Sequence, residues 1–136
     1  MHPHRPDATA AGGFSVPLRT VFNDLVGCPV PLQNAGMGAT SPRLAVAVAK
    51  AGALGMVSGA MMDREAFEKM LDALEDSAPG RIGVNFLVPF LEDPTLVDVA
   101  AERARVVEFF YGEPDGELVS RAQQRGALVS WQVGSL

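Results

Sequence analysis

Asn85 is the residue of this sequence that most clearly needs a chemical partner, because it is an amide in apolar surroundings. It lies near the C-terminal end of a predicted strand that otherwise contains Ile, Val, Phe, Leu and Gly. A buried amide without hydrogen-bond partners costs about 1–3 kcal/mol. We therefore expect Asn85 either to bind a ligand or to satisfy a neighbouring loop.

The turn Ala35-Gly36-Met37-Gly38 is a second candidate for ligand contact, because it directly follows another predicted strand. Its two glycines have no side chains, so the backbone can approach another group closely. Met37 is also compatible with plain packing, which is the commoner role of a single methionine. This turn therefore predicts a close approach of the backbone to another group.

Groups suited to metal binding or proton transfer are few. His2 and His4 are the only histidines, and both lie in a Pro- and Ala-rich stretch that we predict to be a flexible tail over residues 1–16. Cys28 is the single cysteine, which excludes an internal disulfide and a cysteine-based metal site. We expect Cys28 to be a small buried residue, and we predict no metal centre.

The composition predicts one globular domain with a single core. The 136 residues are 48% hydrophobic and 20% charged. The net charge of −5 comes from 16 acidic and 11 basic residues without a long run of one sign, which argues against a nucleic-acid partner and an anionic membrane surface. The sequence lacks an apolar run of signal-peptide or membrane-spanning length. A cytoplasmic location is therefore expected.

Five predicted strands, separated by helices, position the candidate residues. The strands begin near residues 30, 54, 82, 106 and 127, at intervals of about 21 to 28 residues, which is typical of one strand, one helix and two short loops. Ser41-Pro42, Asp63 and Asp93-Pro94 are typical helix starts, and Gly52 is expected to close the first of these helices. The alternation predicts an α/β fold with parallel strands.

Two further helical patterns bear on the core. Phe67, Met70, Leu71 and Leu74 share one face of the clearest predicted helix. Upstream, Leu18, Phe22 and Leu25 lie on one side of a short helix or turn that would cover one end of the core.

Two architectures fit five such units. One is a flavodoxin-like doubly wound sheet of five strands. The other is the first five strands of a (β/α)₈ barrel, which normally has about 250 residues or more. The sequence stops directly after the fifth predicted strand, without the last covering helix of a flavodoxin-like domain. We therefore predict a truncated (β/α)₈ barrel over residues 17–136.

Several of these stretches together resemble the nitronate monooxygenases, a family of FMN-dependent (β/α)₈ barrels also called 2-nitropropane dioxygenases. The order and spacing of the motifs carry the resemblance, since each motif alone is weak. The family's third strand, Gly-Val-Asn-Phe, and fourth strand, usually Val-Val-Ser-Phe with a following glycine, have counterparts here. The matching stretches are Ala35-Gly36-Met37, Ser41-Pro42-Arg43-Leu44-Ala45, Ala51-Gly52-Ala53-Leu54-Gly55, Gly83-Val84-Asn85-Phe86, Val88-Pro89, and Val107-Glu108-Phe109 with Gly112.

The resemblance implies cofactor contacts for five residues. Ala35, Gly36 and Met37 match the turn whose backbone approaches the flavin ring, where side chains would keep a flat ring away. Asn85 matches the family asparagine that hydrogen-bonds FMN. Gln132, on the fifth predicted strand, could also face the cofactor or be a polar residue of the core or edge.

The resemblance also implies that parts of the site lie beyond Leu136. The family histidine follows the sixth strand, so no catalytic residue is predicted within this chain. The cofactor phosphate is held after strands seven and eight in barrels of this kind. Each charge-assisted hydrogen bond to phosphate contributes about 1.5–3 kcal/mol, and the isolated chain is therefore expected to be inactive and to bind FMN weakly.

The leading functional hypothesis is an FMN-dependent monooxygenase that oxidises alkyl nitronates with O₂ to carbonyl compounds and nitrite. An FMN-dependent enoyl-acyl-carrier-protein reductase is an alternative, since it shares the opening motifs. A third hypothesis is a non-catalytic binding module of flavodoxin-like or partial-barrel fold. The predicted partners are a small-molecule substrate and, through exposed strand edges, another copy of the chain.

Overall fold

The computed structural model describes residues 18–38 and 41–135, so the predicted tail with His2 and His4 lies outside the described residues. Four strands form one parallel sheet in the order β1-β2-β3-β4. The strands are Gly55–Ser58 (β1), Ile82–Leu87 (β2), Val106–Phe110 (β3) and Leu128–Gln132 (β4). The helices are Val21–Val26 (α1), Pro42–Lys50 (α2), Arg64–Ser77 (α3), Thr95–Arg103 (α4) and Gly116–Gln123 (α5), and a 3₁₀ turn covers Val88–Phe90. The predicted α/β alternation with parallel strands is confirmed.

The segment predicted as the first strand differs from the other four. It contributes a single parallel bridge between Gln33 and Leu54, supported by a hydrogen bond from Leu54 N to Leu32 O. The next ladder position is taken by a side chain, since Asn34 Nδ2 donates to Met56 O and Asn34 Oδ1 accepts from Met56 N, both at 2.9 Å. The Asn34 amide thus replaces the peptide group that would continue the strand.

The main helices all cover the same face of the sheet. One large cluster unites apolar residues of α2, α3, α4 and α5 with Val57, Val84, Val107 and other residues on that face. Phe86 packs at its centre, with ring centroids 5.9 Å from Phe67 and 6.1 Å from Phe109. A doubly wound sheet carries helices on both faces, whereas a barrel carries its helices outside only. The described part of the chain therefore has the layering of a barrel.

The helix starts form as predicted. Ser41 Oγ accepts from Arg43 N at 3.2 Å at the start of α2, and Asp63 Oδ1 accepts from Ala66 N at 2.9 Å at the start of α3. Before α4, Asp93 Oδ1 accepts from Thr95 N at 2.9 Å, although Pro94 is the residue that adjoins the helix. These oxygens satisfy backbone donors that have no partner within a helix.

Helix α1 lies across the inner face of the sheet, on the side where the strands begin. Val26 and the half-buried Phe22 pack with Leu54, Met56 and Val106. Arg105 holds the helix from its C-terminal end, since Nε donates to Val26 O at 3.1 Å. The predicted apolar side was partly wrong, because Leu18 and Leu25 are 70% and 55% exposed. None of the described helices is both long and apolar enough to cross a membrane.

Candidate functional site

A row of polar side chains crosses the inner face of the sheet near the C-terminal ends of its strands. Ser58, Asn85, Glu108 and Ser130 are register partners on successive strands. Partners in a parallel register project from the same face, and side chains alternate between faces along each strand. Two residues earlier, the same face carries the apolar residues that pack against α1. Polarity therefore changes from apolar to polar toward the end where a barrel places its chemistry.

Glu108 is the centre of this row and is 2% exposed. Its carboxylate accepts from Gln33 Nε2 at 3.0 Å, Asn85 Nδ2 at 3.1 Å and Gln132 Nε2 at 2.8 Å. Two of these amides donate to Oε1 and one to Oε2, so both carboxylate oxygens have hydrogen-bond partners. We call these four side chains the amide layer. It gathers one polar group from the segment before β1 and one from each of β2, β3 and β4.

Two of the predicted site residues therefore meet in one cluster. Asn85 is 3% exposed and touches Glu108 directly, and the exposed Gln132 reaches the same carboxylate from β4. The expectation that Asn85 has a hydrogen-bond partner is confirmed, and within the described residues that partner is a side chain of the neighbouring strand. The role of these two residues in cofactor binding stays a prediction.

Glu108 and Gln33 belong to the site but were not among the predicted site residues. The signal for Glu108 was the one that singled out Asn85, namely a polar residue in the segment Val106–Phe110, which is otherwise Val and Phe. A buried charge costs far more than a buried amide unless it is hydrogen-bonded. Gln33 gave no comparable signal, because it stands beside Asn34 at the point where the apolar segment before the turn ends.

The turn Ala35-Gly36-Met37 lies at the edge of the amide layer. A Cβ on the buried Gly36 would be 2.6 Å from Asn85 Cβ and 2.8 Å from Val57 O, whereas a Cβ on Gly38 would meet nothing within 4 Å. The close approach predicted for this turn is confirmed for Gly36, but its neighbours are β1 and β2. The space that a side chain would need at Gly36 is filled by β1 and β2, and the role of this turn in cofactor binding stays a prediction. Ala35 and Met37 flank Gly36 and are exposed.

The residues present suit a planar heterocycle such as the flavin ring. Amide side chains offer both donors and acceptors, and three of them meet here at the edge of the sheet. The exposed Ala35 and Met37 add a short apolar border beside them. Because the amide NH₂ groups donate to Glu108, it is the amide oxygens that suit the ring of FMN, with Asn85, Gln132 and the turn at residues 35–37 as the contacts expected from this chain.

The loops that follow β1 and β2 enclose a cleft at the C-terminal ends of these strands. The cleft has a volume of about 550 Å³ and lies between the segments after β1 and β2, including Met61, Arg64 and Phe90. Met61 adopts a left-handed conformation with φ of 58° and is 88% exposed. After β3, Tyr111 adopts φ of 64°. Such strained residues concentrate at functional sites. The loops after β1, β2 and β3 are therefore the candidate surface for a substrate.

Among the residues that the structure describes, Asp93 and Cys28 have shifted pKa values. Hydrogen bonds from the side chain and backbone of Thr95 lower the pKa of Asp93 at the cleft. Burial raises the pKa of the Cys28 thiol, an effect that Arg81 and Arg105 oppose. Cys28 packs beneath α1, away from the amide layer, and is buried as predicted.

A family model described as nitronate monooxygenase matches residues 19–136. The chain belongs to the nitronate monooxygenase family. Its α/β architecture is that of a partial (β/α)₈ barrel of this family, as predicted. In the family motif for the fourth strand, serine stands where this chain has Glu108, so the centre of the amide layer is a departure from that motif.

Three similar proteins match most of this chain, and two of them are named as dehydrogenases. A protein of Rhodococcus jostii named (3aS,4S,5R,7aS)-5-hydroxy-7a-methyl-1-oxo-octahydro-1H-indene-4-carboxyl-CoA dehydrogenase is 29% identical over 119 residues, covering 87% of this chain and 34% of the relative. The Mycobacterium tuberculosis protein of the same name is 27% identical over 119 residues with the same coverage. A structure of a FabK mutant from Thermotoga maritima is 30% identical with a TM-score of 0.77, covering 87% of this chain and 40% of that one. This chain thus spans about a third of the length of the curated relatives.

Proposed function

We propose that this chain supplies the opening strands, and part of the flavin-ring site, of an FMN-dependent oxidoreductase. The observation that carries the proposal is the amide layer, in which Asn85 and Gln132 converge on Glu108 at the C-terminal edge of a parallel sheet. Barrel enzymes place their sites at this edge. Family membership over residues 19–136 supports the flavin as the occupant.

The reaction proposed first is the one after which the family is named. Bound FMN would supply the redox chemistry that converts an alkyl nitronate and O₂ into a carbonyl compound and nitrite. The part of this chain is to bind and orient the ring through the amides of Asn85 and Gln132, with the turn at residues 35–37 against its border. The cleft beside Met61 and Phe90 would take the alkyl part of the substrate, because both side chains are apolar and exposed.

A second candidate reaction is dehydrogenation of a hydroxyacyl thioester. Both curated relatives are named as dehydrogenases of a hydroxylated carboxyl-CoA compound. In addition, the buried carboxylate of Glu108 replaces the serine of the family's fourth-strand motif, so this part of the site departs from the pattern of the nitronate monooxygenases. The same flavin site would serve either reaction, so the candidates differ in substrate and not in cofactor.

The test begins with the complete gene product and free FMN. Quenching of FMN fluorescence on titration, followed by nitrite release from propyl-2-nitronate in air, is the result expected for the first reaction. If the protein binds FMN but releases no nitrite, and a 3-hydroxyacyl-CoA bleaches the bound flavin, the dehydrogenation of a hydroxyacyl thioester is the reaction. Absence of FMN binding up to millimolar concentration would contradict the proposal as a whole.

A further inference from the structure

The most unusual group of the described structure is Glu108, a carboxylate buried in mid-strand with amide donors on every side. Gln33, Asn85 and Gln132 approach it from three different segments of the chain. Its neighbours along β3 are Val107 and Phe109, both fully buried. Burying a charge is costly unless its oxygens are hydrogen-bonded, so the three amide donors are what makes this position tolerable.

The amide orientations follow from the nature of this acceptor. A carboxylate cannot donate, so each amide must present its NH₂ group to Glu108. The carbonyl oxygen of the same amide then points away from the carboxylate. Within the described residues, all three amides donate to Glu108, and no hydrogen bond is accepted by their side-chain oxygens. A serine at residue 108 could both donate and accept, and would leave these orientations undetermined.

We propose that Glu108 is a positioning residue that fixes the amide layer as a set of hydrogen-bond acceptors for a ligand carrying ring N–H or O–H donors. The proposal rests on the proposed flavin function for the identity of the ligand, since the flavin ring carries an imide N–H at N3. Glu108 itself is 2% exposed and is covered by the amides, so it acts through Gln33, Asn85 and Gln132. It thereby determines which edge of a heterocycle the site accepts.

The first arm of the test requires no ligand. Side-chain NH₂ signals of Gln33, Asn85 and Gln132 in an ¹⁵N-correlation spectrum are expected to be shifted and protected from exchange in the unaltered protein. Glu108→Gln should move all three signals and accelerate their exchange. Glu75→Gln, an exposed position on α3, is the matched control and should move none of them. Identical signals in the unaltered protein and in Glu108→Gln would overturn the positioning role.

The second arm measures ligand discrimination, which a purely structural role would leave unchanged. The gene product is titrated with FMN and with 3-methyl-FMN, which lacks the ring N–H. We expect FMN to bind about tenfold more tightly to the unaltered protein and to Glu75→Gln, in keeping with one hydrogen bond. In Glu108→Gln, the ratio should fall to within about twofold, since the amides can then turn either way. Should Glu108→Gln fail to fold, Gln132→Met removes one exposed member of the layer and should lower the same ratio.

The outcomes separate this inference from the function on which it rests. Tight FMN binding without discrimination against 3-methyl-FMN in the unaltered protein would overturn the acceptor role and leave the flavin function standing. Failure of both flavins to bind would overturn the proposed function and the ligand assigned to the layer. The amide spectra decide the role of Glu108 in either case.

Discussion

Gln33 and Glu108 lie 75 positions apart in the sequence, yet Gln33 Nε2 donates a 3.0 Å hydrogen bond to Glu108 Oε2. This contact joins the segment before β1 to β3 and passes over both β1 and β2. Gln33 is also the residue that bridges to Leu54, and the Asn34 amide bonds to Met56 directly after it. The backbone of Gln33 thus pairs beside β1 while its side chain binds the buried carboxylate of β3.

Replacement of Gly36 should destabilise the fold locally at the amide layer. In Gly36→Ala the new Cβ would meet Asn85 Cβ at 2.6 Å and Val57 O at 2.8 Å, so the turn must shift away from the strands. Overpacking of this kind costs about 1–3 kcal/mol. Urea unfolding measures the loss, and Gly38→Ala is the control, since nothing lies within 4 Å of the added methyl group. Equal stabilities of the two variants would contradict the close packing.

The ion pair between α4 and α5 should contribute measurably to stability. Asp98 Oδ2 accepts from Arg121 Nη1 at 2.7 Å, and the Asp98 side chain is only 16% exposed. Asp98→Asn is expected to lower the free energy of unfolding by about 1.5–3 kcal/mol, the range for hydrogen bonds to charged groups.

The control for that pair is Asp72, which contacts Arg103 at the same 2.7 Å but is 65% exposed. Solvent screening limits exposed pairs to about 1 kcal/mol or less. Asp72→Asn should therefore have a clearly smaller effect in the same chemical denaturation experiment. A larger loss of unfolding free energy for Asp72→Asn than for Asp98→Asn would mean that burial does not determine which ion pair is more stabilising.

The start of α3 should depend on the Asp63 oxygen and not on its charge alone. Asp63→Ala removes the acceptor for Ala66 N and is expected to cost about 0.5–2 kcal/mol. Asp63→Asn keeps a side-chain oxygen and should retain most of the stability. Thermal unfolding followed by circular dichroism compares the two variants, and an equal loss in both would assign the effect to the carboxylate charge.

Cys28 should make the fold sensitive to alkaline pH. Burial raises the thiol pKa above its ordinary value of 9.0, so below that pH the protonated thiol contributes its full stabilisation. The contribution is lost as the pH rises through the higher pKa of the folded state, because the unfolded thiol ionises first. Urea unfolding at pH 7 and pH 10 should show a larger loss for the unaltered protein than for Cys28→Ala. If the unfolding free energy fell equally between pH 7 and pH 10 in both proteins, the thiol would be excluded as the cause of the alkaline destabilisation.

Much of the scaffold could be predicted from local sequence signals. Ser41 and Asp63 form the expected caps, and Phe67, Leu71 and Leu74 are all buried on the expected face of α3. These features depend on residues within one or two turns of each other, so short-range chemistry determines them. The starts of β1 and β4, at Gly55 and Leu128, differ by only one residue from the expected positions near 54 and 127.

The site was predicted less completely, because its contacts join distant segments. Asn85 and Gln132 were recognised as candidates, but their meeting at Glu108 depends on the strand registers, which no single segment encodes. Gln33 could not have been singled out, since its partner lies 75 positions away on β3. The barrel was preferred to a doubly wound sheet from the sequence, and the placement of all four main helices on one face agrees with that prediction.

The alternation of side chains between the two faces of β3 also helps to specify the register of this strand in the sheet. A slip of this strand by one residue would turn Glu108 toward the helices and bring Val107 or Phe109 to the inner face. The carboxylate would then lie among Phe86, Val97 and Ala122, without any of its three amide donors. Since an unpaired buried charge is far costlier than the loss of a few apolar contacts, misaligned pairings are strongly penalised. Glu108 thus makes the native register of β3 more stable than registers shifted by one residue.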